Sequence, residues 1–180
     1  MSDWFCGTRT LWSFAWTQID ARQNTRLWAL ATVDARGVPA ARTVVLRGAS
    51  LDRYAVQFHT DLGSSKVLDL TQNPQASLLC WLPAHDLQIR LQVDVDVQSG
   101  VAVSDVWANV PDPARQAYGA KPPPATPIAD ALAYEKPADA AAFAVLDCTV
   151  SCVDILHLGA DHRRAIFSRD SDWVGQWVAP

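Results

Sequence analysis

The sequence predicts a mainly β fold with flanking helices, in which antiparallel strands close into a barrel. Short apolar stretches follow one another through turn residues, with few helical stretches between them. The stretch LQIRLQVDVDV, from Leu87 to Val97, alternates strictly between apolar and polar residues, as expected for a strand with one face in a core. The 180 residues suffice for a single core, so we expect one domain over residues 1–180.

Composition excludes several function classes. The net charge of -4 and the pI near 5.4 argue against a nucleic-acid partner. The N-terminus lacks a basic region, and no apolar run approaches the ~20 residues that span a bilayer. We therefore expect neither signal peptide nor membrane anchor.

Cysteine and histidine spacing predicts reduced thiols in a cytoplasmic protein without a metal site. The four cysteines include no CxxC pair. Cys148 and Cys152 are four residues apart in a predicted strand, where they share a face but lie too far apart for a disulfide. The sequence contains no serine in a GxSxG motif, so a hydrolase is not expected. Asp94 and Asp96 share a polar strand face and are expected to be exposed carboxylates.

The first half of the chain begins with an amphipathic helix, for which we predict residues 8–22, with Leu11, Ala15 and Ile19 on one face. Leu27 to Val33 is the first strand, and Asp34 to Gly37 closes a hairpin. The barrel strands occupy about 27–97 and 143–178. Gln75 to Leu82 is mostly apolar, and we expect it to be buried on both faces.

Residues 99–142 form a predicted helical and proline-rich insertion. The period is helical over 99–118, where Asp112 to Tyr118 forms a second short helix, and the prolines of KPPPATP (121–127) predict an extended loop. The alanine-rich stretch 131–142 is expected to be partly helical. Phe143 to Leu158 is a long strand that pairs with 162–168, and 173–178 closes the chain. Eight tryptophans suit a thick core or an apolar interface.

The stretch from Ala40 to Lys66 carries the predicted site. It reads as strand, hairpin, strand and the start of a helix, with Ser64, Ser65 and Lys66 at the helix N-terminus. Hydroxyls, backbone N–H groups and a lysine at such a position favour a phosphate dianion. Arg42 supplies a second positive charge from the preceding strand, whereas Arg47 is expected either on the opposite face of that strand or across a slight twist in it.

The segments ATVDARGVPAARTVVLRG, FHTDLGSSK, NPQASLLCW and LQIRLQVDVDV together resemble the pyridoxamine 5'-phosphate oxidase-like FMN-binding split-barrel family, most of all its short FMN-binding members. The resemblance implies an antiparallel split β-barrel that works as a homodimer with FMN at the subunit interface. It also implies an FMN-dependent oxidoreductase.

The resemblance carries cofactor roles onto matching positions. It assigns the strand from Arg42 to Arg47 to the flavin and its phosphate, His59 and Thr60 to the ring and ribityl chain, and the helix start to the phosphate. Gln88 and Arg164 match further flavin contacts. The implied cofactor-binding residues are Arg42, Thr43, Val44, Val45, Leu46, Arg47, His59, Thr60, Ser64, Ser65, Lys66, Gln88 and Arg164.

Departures from the family concern the substrate. Arg47 replaces a lysine, and Ser65 replaces a phosphate-binding arginine. The substrate motif Tyr-x3-Arg-Pro-x2-Ser has no match between Trp107 and Pro127. Of a C-terminal Arg-x-His, only His162 is kept, because Ala160 stands in the arginine's place. We therefore expect a substrate other than pyridoxine phosphate, with Arg47 and His162 as candidate contacts and no identified catalytic residue.

Two alternatives remain open at this point. The chain is a non-catalytic FMN-binding module, such as a flavin carrier or sensor, or it keeps the fold without any flavin. His59 is read either as an acid or base or as a structural hydrogen-bond donor. Trp173 or Trp177 is a candidate neighbour of the flavin.

Overall fold

The structure, a computed structural model, describes residues 4–21 and 27–180. Its strands are β1 (Leu27–Val33), β2 (Pro39–Ser50), β3 (Ala55–Asp61), β4 (Gln75–Leu82), β5 (Leu87–Ser99), β6 (Phe143–His157), β7 (Arg163–Ser168) and β8 (Gln176–Val178). Its α-helices are α1 (Thr8–Ala21), α2 (Ser65–Gln72), α3 (Ser104–Ala108) and α4 (Asp112–Arg115). The predicted helix over 8–22 is found, although its last predicted residue lies outside the described residues.

The strands form one antiparallel sheet that closes on itself. The order is β3-β2-β1-β4-β5-β6-β7-β8, and an additional β3–β6 pairing closes the first six into a barrel. The 15-residue β6 makes this possible, because its first half pairs with β3 and its second half with β7. The predicted antiparallel split β-barrel with flanking helices is confirmed.

A bulge in β6 corrects the prediction for the cysteines. Val93 of β5 pairs with Val150 and Gln92 pairs with Cys152, so Ser151 is an extra residue. The inward side chains are therefore Cys148 and Val150 before the bulge but Val153 after it. Cys148 and Cys152 consequently lie on opposite faces of the strand, and both are free thiols.

The prediction that β4 is buried on both faces is wrong. Leu78, Cys80 and Leu82 point into the core, but Leu79 and Trp81 are 36% and 42% exposed. Antiparallel strands need only one covered face, and no described element covers the outer face of β4. This leaves exposed apolar side chains on the barrel.

Helix α1 packs on the barrel through its predicted apolar face. Leu11, Ala15 and Ile19 are fully buried. Beside them, the ring centroids of Trp12 and Trp173 lie 5.4 Å apart. The Trp173 ring stacks on Tyr54 with a centroid distance of 4.4 Å. Trp173 therefore belongs to an aromatic cluster at α1.

The insertion, here residues 100–142, contributes a second, smaller core. Val110 and Tyr118 pack there against Phe143 and Val145 of β6. The alanine-rich stretch, expected to be partly helical, forms no α-helix and is helical only in a 3-10 turn at Ala140–Ala142. Pro137 interrupts the stretch and Leu132 is 79% exposed, so no apolar face is available to stabilise a helix.

None of the described helices has the length and apolar character needed to cross a membrane.

Candidate functional site

The turn from β3 into α2 brings three polar side chains together. Lys66 donates from Nζ to Thr60 Oγ1 and to Ser64 Oγ, both at 3.0 Å, and the two hydroxyl oxygens lie 3.3 Å apart. Ser64 is the N-cap residue of α2, yet its side chain makes no capping hydrogen bond. The helix N-terminus therefore adds partial positive charge beside the ammonium group.

Arg42 of β2 contacts strand β1 and the side of helix α2. It donates to Thr32 Oγ1 at 2.6 Å and to the Leu30 carbonyl at 3.2 Å, and its Nη2 lies 3.4 Å from the carboxylate of Asp69 in α2. Thr32 in turn donates to Asp69 at 2.6 Å. These contacts fix the guanidinium between β1 and α2, so Arg42 is preorganised rather than a mobile surface charge.

Electrostatics link Arg42 to Lys66. Burial lowers the pKa of Lys66, the charge of Arg42 lowers it further, and only Asp61 acts in the opposite direction. The charge of Arg42 thus adds to the positive potential at Lys66, and such a potential favours a bound anion. We call Arg42, Thr60, Ser64 and Lys66 the anion corner; it contains four of the predicted phosphate and ribityl contacts, whereas Ser65 is an exposed residue beside it.

Strand β2 presents its predicted residues in two ways. Val44 and Leu46 are buried in the core with Arg42 on their face, so only their backbone groups are available to a ligand. Thr43 and Val45 lie on the other face. A bulge between Leu46 and Gly48 then sets Arg47 toward β3, and Arg42 and Arg47 point to opposite faces as expected.

Arg47 meets His59 and Tyr118. Burial and the charge of Arg47 lower the pKa of His59 to about 4, so this imidazole is neutral near neutral pH. The Arg47 guanidinium also donates a hydrogen bond to the Tyr118 hydroxyl, although burial is stronger and raises the pKa of that phenol. Tyr118 was missed from the sequence, because a tyrosine ending a helical stretch carries no motif.

A cavity of about 380 Å³ lies between this group and the insertion. The barrel contributes Arg47, Gln57 and His59, and the insertion contributes Val106, Asn109, Val110, Pro111 and Ala114. We call it the insertion cavity. Its residues Val106-x3-Val110-Pro111-x2-Ala114 have the spacing of Tyr-x3-Arg-Pro-x2-Ser, with apolar residues at the three polar positions. The first position of this spacing is Val106, one residue before the segment from Trp107 to Pro127 in which no match was expected.

Asp61 joins the anion corner to the insertion. Its Oδ1 accepts the N–H of Gly63 at 2.8 Å, within the turn before α2, and its Oδ2 accepts the N–H of Gly119 at 2.7 Å. Gly119 has a φ of +90°, and a Cβ there would lie 2.5 Å from the Asp139 side chain. A glycine is thus required where the insertion docks on the barrel.

Gln88 and Arg164 lie apart from the anion corner. His59 and Thr60 pair with the start of β6, whereas Gln88 and Arg164 flank Leu156 near its end. Arg164 donates to Asp154 at 2.8 and 3.0 Å, and Arg90 binds the same carboxylate. Burial raises the pKa of Asp154, but the two arginines outweigh it and lower that pKa overall.

His162 also lies away from the anion corner. It is an exposed residue in the turn between β6 and β7. Within one chain the structure therefore forms two groups of predicted residues, one at each end of β6.

Three comparisons bear on this arrangement. The family model described as pyridoxamine 5'-phosphate oxidase, FMN-binding domain, matches residues 9–99. The pyridoxine/pyridoxamine 5'-phosphate oxidase of Chromohalobacter salexigens is 36% identical over 98 residues, which are 54% of this chain and 45% of that protein. Its counterpart from Deinococcus deserti is 33% identical over 107 residues, 59% of this chain and 49% of that protein. The match thus spans just under half of these curated relatives.

Two solved structures share the fold over the whole chain. A pyridoxamine 5'-phosphate oxidase-related, FMN-binding protein from Nostoc punctiforme is 27% identical, with a TM-score of 0.77 over 100% of this chain and 99% of that one. PhzG from Burkholderia lata, solved with tetrahydrophenazine-1-carboxylic acid, is 18% identical, with a TM-score of 0.73 over 100% and 97%. The second likeness shows the fold alone.

Proposed function

Because the chain belongs to the pyridoxamine 5'-phosphate oxidase family of FMN-binding domains, we propose that it is an FMN-dependent oxidoreductase with a substrate other than pyridoxine phosphate. Membership of this FMN-binding family identifies FMN as the cofactor, and the family includes oxidoreductases. The observation that carries the proposal is the anion corner, where Lys66 contacts two hydroxyls at the N-terminus of α2 and the charge of Arg42 acts on Lys66 from β2.

The residues present fit the phosphate end of FMN. A phosphate dianion accepts hydrogen bonds from Lys66 and from the Thr60 and Ser64 hydroxyls, and it relieves the repulsion between Lys66 and Arg42. The backbone of β2 from Arg42 to Arg47 would then hold the flavin. When bound, FMN supplies a ring that exchanges hydride equivalents with a substrate.

At the ring end, the side chains contribute charge and hydrogen bonding rather than acid catalysis. Arg47 keeps a positive charge in the insertion cavity, and a cation near a flavin ring tunes its electronics. His59 has a pKa of about 4, too low for a general acid near neutral pH. We therefore assign His59 a neutral hydrogen-bonding role.

The outer face of the barrel supports a homodimer with FMN at the subunit interface. Leu27, Leu79 and Trp81 form an outer apolar patch on the paired strands β1 and β4, with exposures of 61%, 36% and 42%. An exposed apolar patch on a rigid sheet is typical of an interface. Gln88 and Arg164 lie too far along β6 to reach the anion corner of their own chain, so we assign them to the cofactor of the second copy.

The substrate assignment depends on missing anchors. Val110 and Ala114 offer no donors where the oxidase motif has arginine and serine, and Ala160 offers none near His162. A pyridoxine phosphate oxidase assay that gives ordinary turnover would contradict this part of the proposal. The cytoplasmic location inferred from the cysteines stays a prediction.

The decisive experiment is a visible absorbance spectrum of the purified protein, followed by mass identification of the released small molecule. We expect a flavin band, release of FMN, and bleaching of the band when a suitable electron donor is added. Failure to take up FMN from an excess in solution would refute the flavoprotein proposal. Bound FMN that no reductant or organic substrate changes would instead favour a non-catalytic flavin module.

A further inference from the structure

The insertion cavity has walls of different chemistry. Arg47, Gln57 and His59 form the barrel side, and the insertion side is apolar except for Asn109, being formed by Val106, Val110, Pro111 and Ala114. At about 380 Å³ the cavity lies in the size range of small-molecule sites, which are usually apolar with a few placed polar groups. Its ligand therefore has an apolar body and a limited polar edge.

The cavity also contains little charge. Among the described residues that line it, Arg47 is the one charged side chain near neutral pH. Arg115 of the insertion binds elsewhere, donating to the Ala108 carbonyl at 3.0 Å and to the Asp112 carboxylate at 2.9 Å. The Arg47 guanidinium also interacts with the Tyr118 hydroxyl. Its single positive charge can be balanced by one carboxylate of a ligand.

We propose that the insertion cavity binds a small organic acid with an apolar body and a single carboxylate, and that it discriminates against a phosphate monoester in the same position. The carboxylate faces Arg47 and the body packs on the valines, while the Gln57 amide stays bonded to the Asp147 carboxylate at 3.1 Å. A phosphate dianion there leaves charge buried against apolar side chains, which is costly. The inference rests on the proposed function only in calling this acid the substrate.

The insertion wall is held firmly enough to select a ligand. Asp61 accepts the Gly119 N–H, and Val110 and Tyr118 pack against Phe143 of the barrel. Arg115 ties α4 to α3 through the carbonyls of Trp107 and Ala108. The apolar side chains thus stay on the cavity side of the insertion.

The test compares two probes of equal ring size, 1-naphthoate and 1-naphthyl phosphate, by calorimetric titration of the purified full chain with and without FMN. We expect 1-naphthoate to bind the wild type at least about tenfold more tightly, equivalent to ~1.4 kcal/mol. Val110→Arg and, at a less buried position, Ala114→Arg place a second cation in the cavity. Each is expected to reduce or reverse the preference.

Val101→Arg is the matched control, because Val101 is 91% exposed in the same insertion and does not line the cavity. It should keep the wild-type preference. Equal or tighter binding of 1-naphthyl phosphate by the wild type, no measurable binding of 1-naphthoate, or an unchanged preference in a folded arginine variant would overturn the proposal.

Titration of the same preparations with FMN separates the two claims. If FMN does not bind but the naphthoate preference is present, the flavoprotein proposal fails and the cavity assignment holds. If FMN binds and the preference is absent, the cavity assignment fails alone.

Discussion

A bound anion would stabilise the charged side chains of the anion corner. Lys66 is partly buried, with its pKa lowered by desolvation and by Arg42. Such a lysine gains little for the fold while it is charged, because water has been replaced by only two hydroxyl partners. Its value to the molecule lies in the ligand that it holds.

Lys66→Met is therefore expected to separate binding from stability. FMN affinity should fall by ~1.5–3 kcal/mol, the typical contribution of a hydrogen bond to a charged group, while the apoprotein keeps or raises its melting temperature. Fluorescence titration with FMN and thermal melts measure the two quantities. Lys136→Met, in the insertion above the Tyr134 ring, is the control and should change neither; a large loss of apoprotein stability in Lys66→Met would show a structural lysine instead.

His59 makes stability depend on pH in a defined direction. Its folded-state pKa of about 4 lies below the ordinary value of 6.5, so between these values the unfolded chain binds a proton that the folded chain does not. The contribution of His59 to the free energy of unfolding is therefore complete above pH 6.5 and is lost as the pH falls toward 4.

His59→Gln should lose less stability than the wild type between about pH 7.5 and about pH 5. Urea denaturation at the two pH values gives the difference, and comparison with the wild type removes the contribution of the carboxylates. His162→Gln, at an exposed turn, is expected to follow the wild type. Identical pH dependence in His59→Gln and the wild type would mean that His59 titrates normally.

At the scale of elements, the connection between barrel and insertion depends on Asp61. One carboxylate accepts two backbone N–H groups, from Gly63 and from Gly119, so a single residue positions both the start of α2 and the wall of the insertion cavity. We therefore expect a change at the start of α2 to alter the position of the insertion wall, and the reverse.

Asp61→Asn keeps the shape but turns a donor toward one of the two N–H groups. We expect a loss of ~1–3 kcal/mol in unfolding free energy, because a buried donor is left without an acceptor. Faster proteolysis within residues 121–127 should accompany it. Asp130→Asn, which affects a local exposed turn, is the control; equal stability and proteolysis rates in both variants would rule out the proposed coupling.

The accuracy of sequence-based prediction also differs between elements. The bounds of β1 and β4 are as predicted, because apolar residues and turn residues mark both strands. The strand β6 was found, but its bulge was not, since Ser151 leaves no compositional mark. The alanine-rich stretch failed because helix propensity without an apolar face to bury does not make a helix.

The same limits apply to the candidate site. Arg42 and Lys66 were expected to share an anion because the strand and the helix start are visible in the sequence. Tyr118 and Asp61 were not predicted, since their contacts depend on how the insertion folds back onto the barrel. Local patterns report local structure, and contacts across 50 residues or more need the fold.

For the whole molecule, the outer apolar patch of Leu27, Leu79 and Trp81 is the strongest indication of assembly. It lies on the same sheet surface as Gln88, which pairs with Trp81. The proposed interface therefore places the Gln88 and Arg164 group next to the surface that a second copy would cover.

Trp81→Glu is expected to convert a dimer into a monomer and to lower FMN affinity, because the buried charge opposes association. Sedimentation with and without FMN measures both effects. Leu132→Glu, at a site that is 79% exposed in the insertion, should remain dimeric. A wild-type chain that is monomeric when loaded with FMN would disprove the interface.

The extra residue at Ser151 has a consequence for how this barrel can vary. It reverses which side chains face inward, so one continuous strand contributes Cys148 and Val150 to the barrel interior but places Cys152 and Asp154 on its outer face, where Asp154 is buried by its arginine partners. Loss of a single residue there would turn Asp154 inward and separate it from Arg90 and Arg164. We therefore expect the length of β6 between Val150 and Val153 to be fixed.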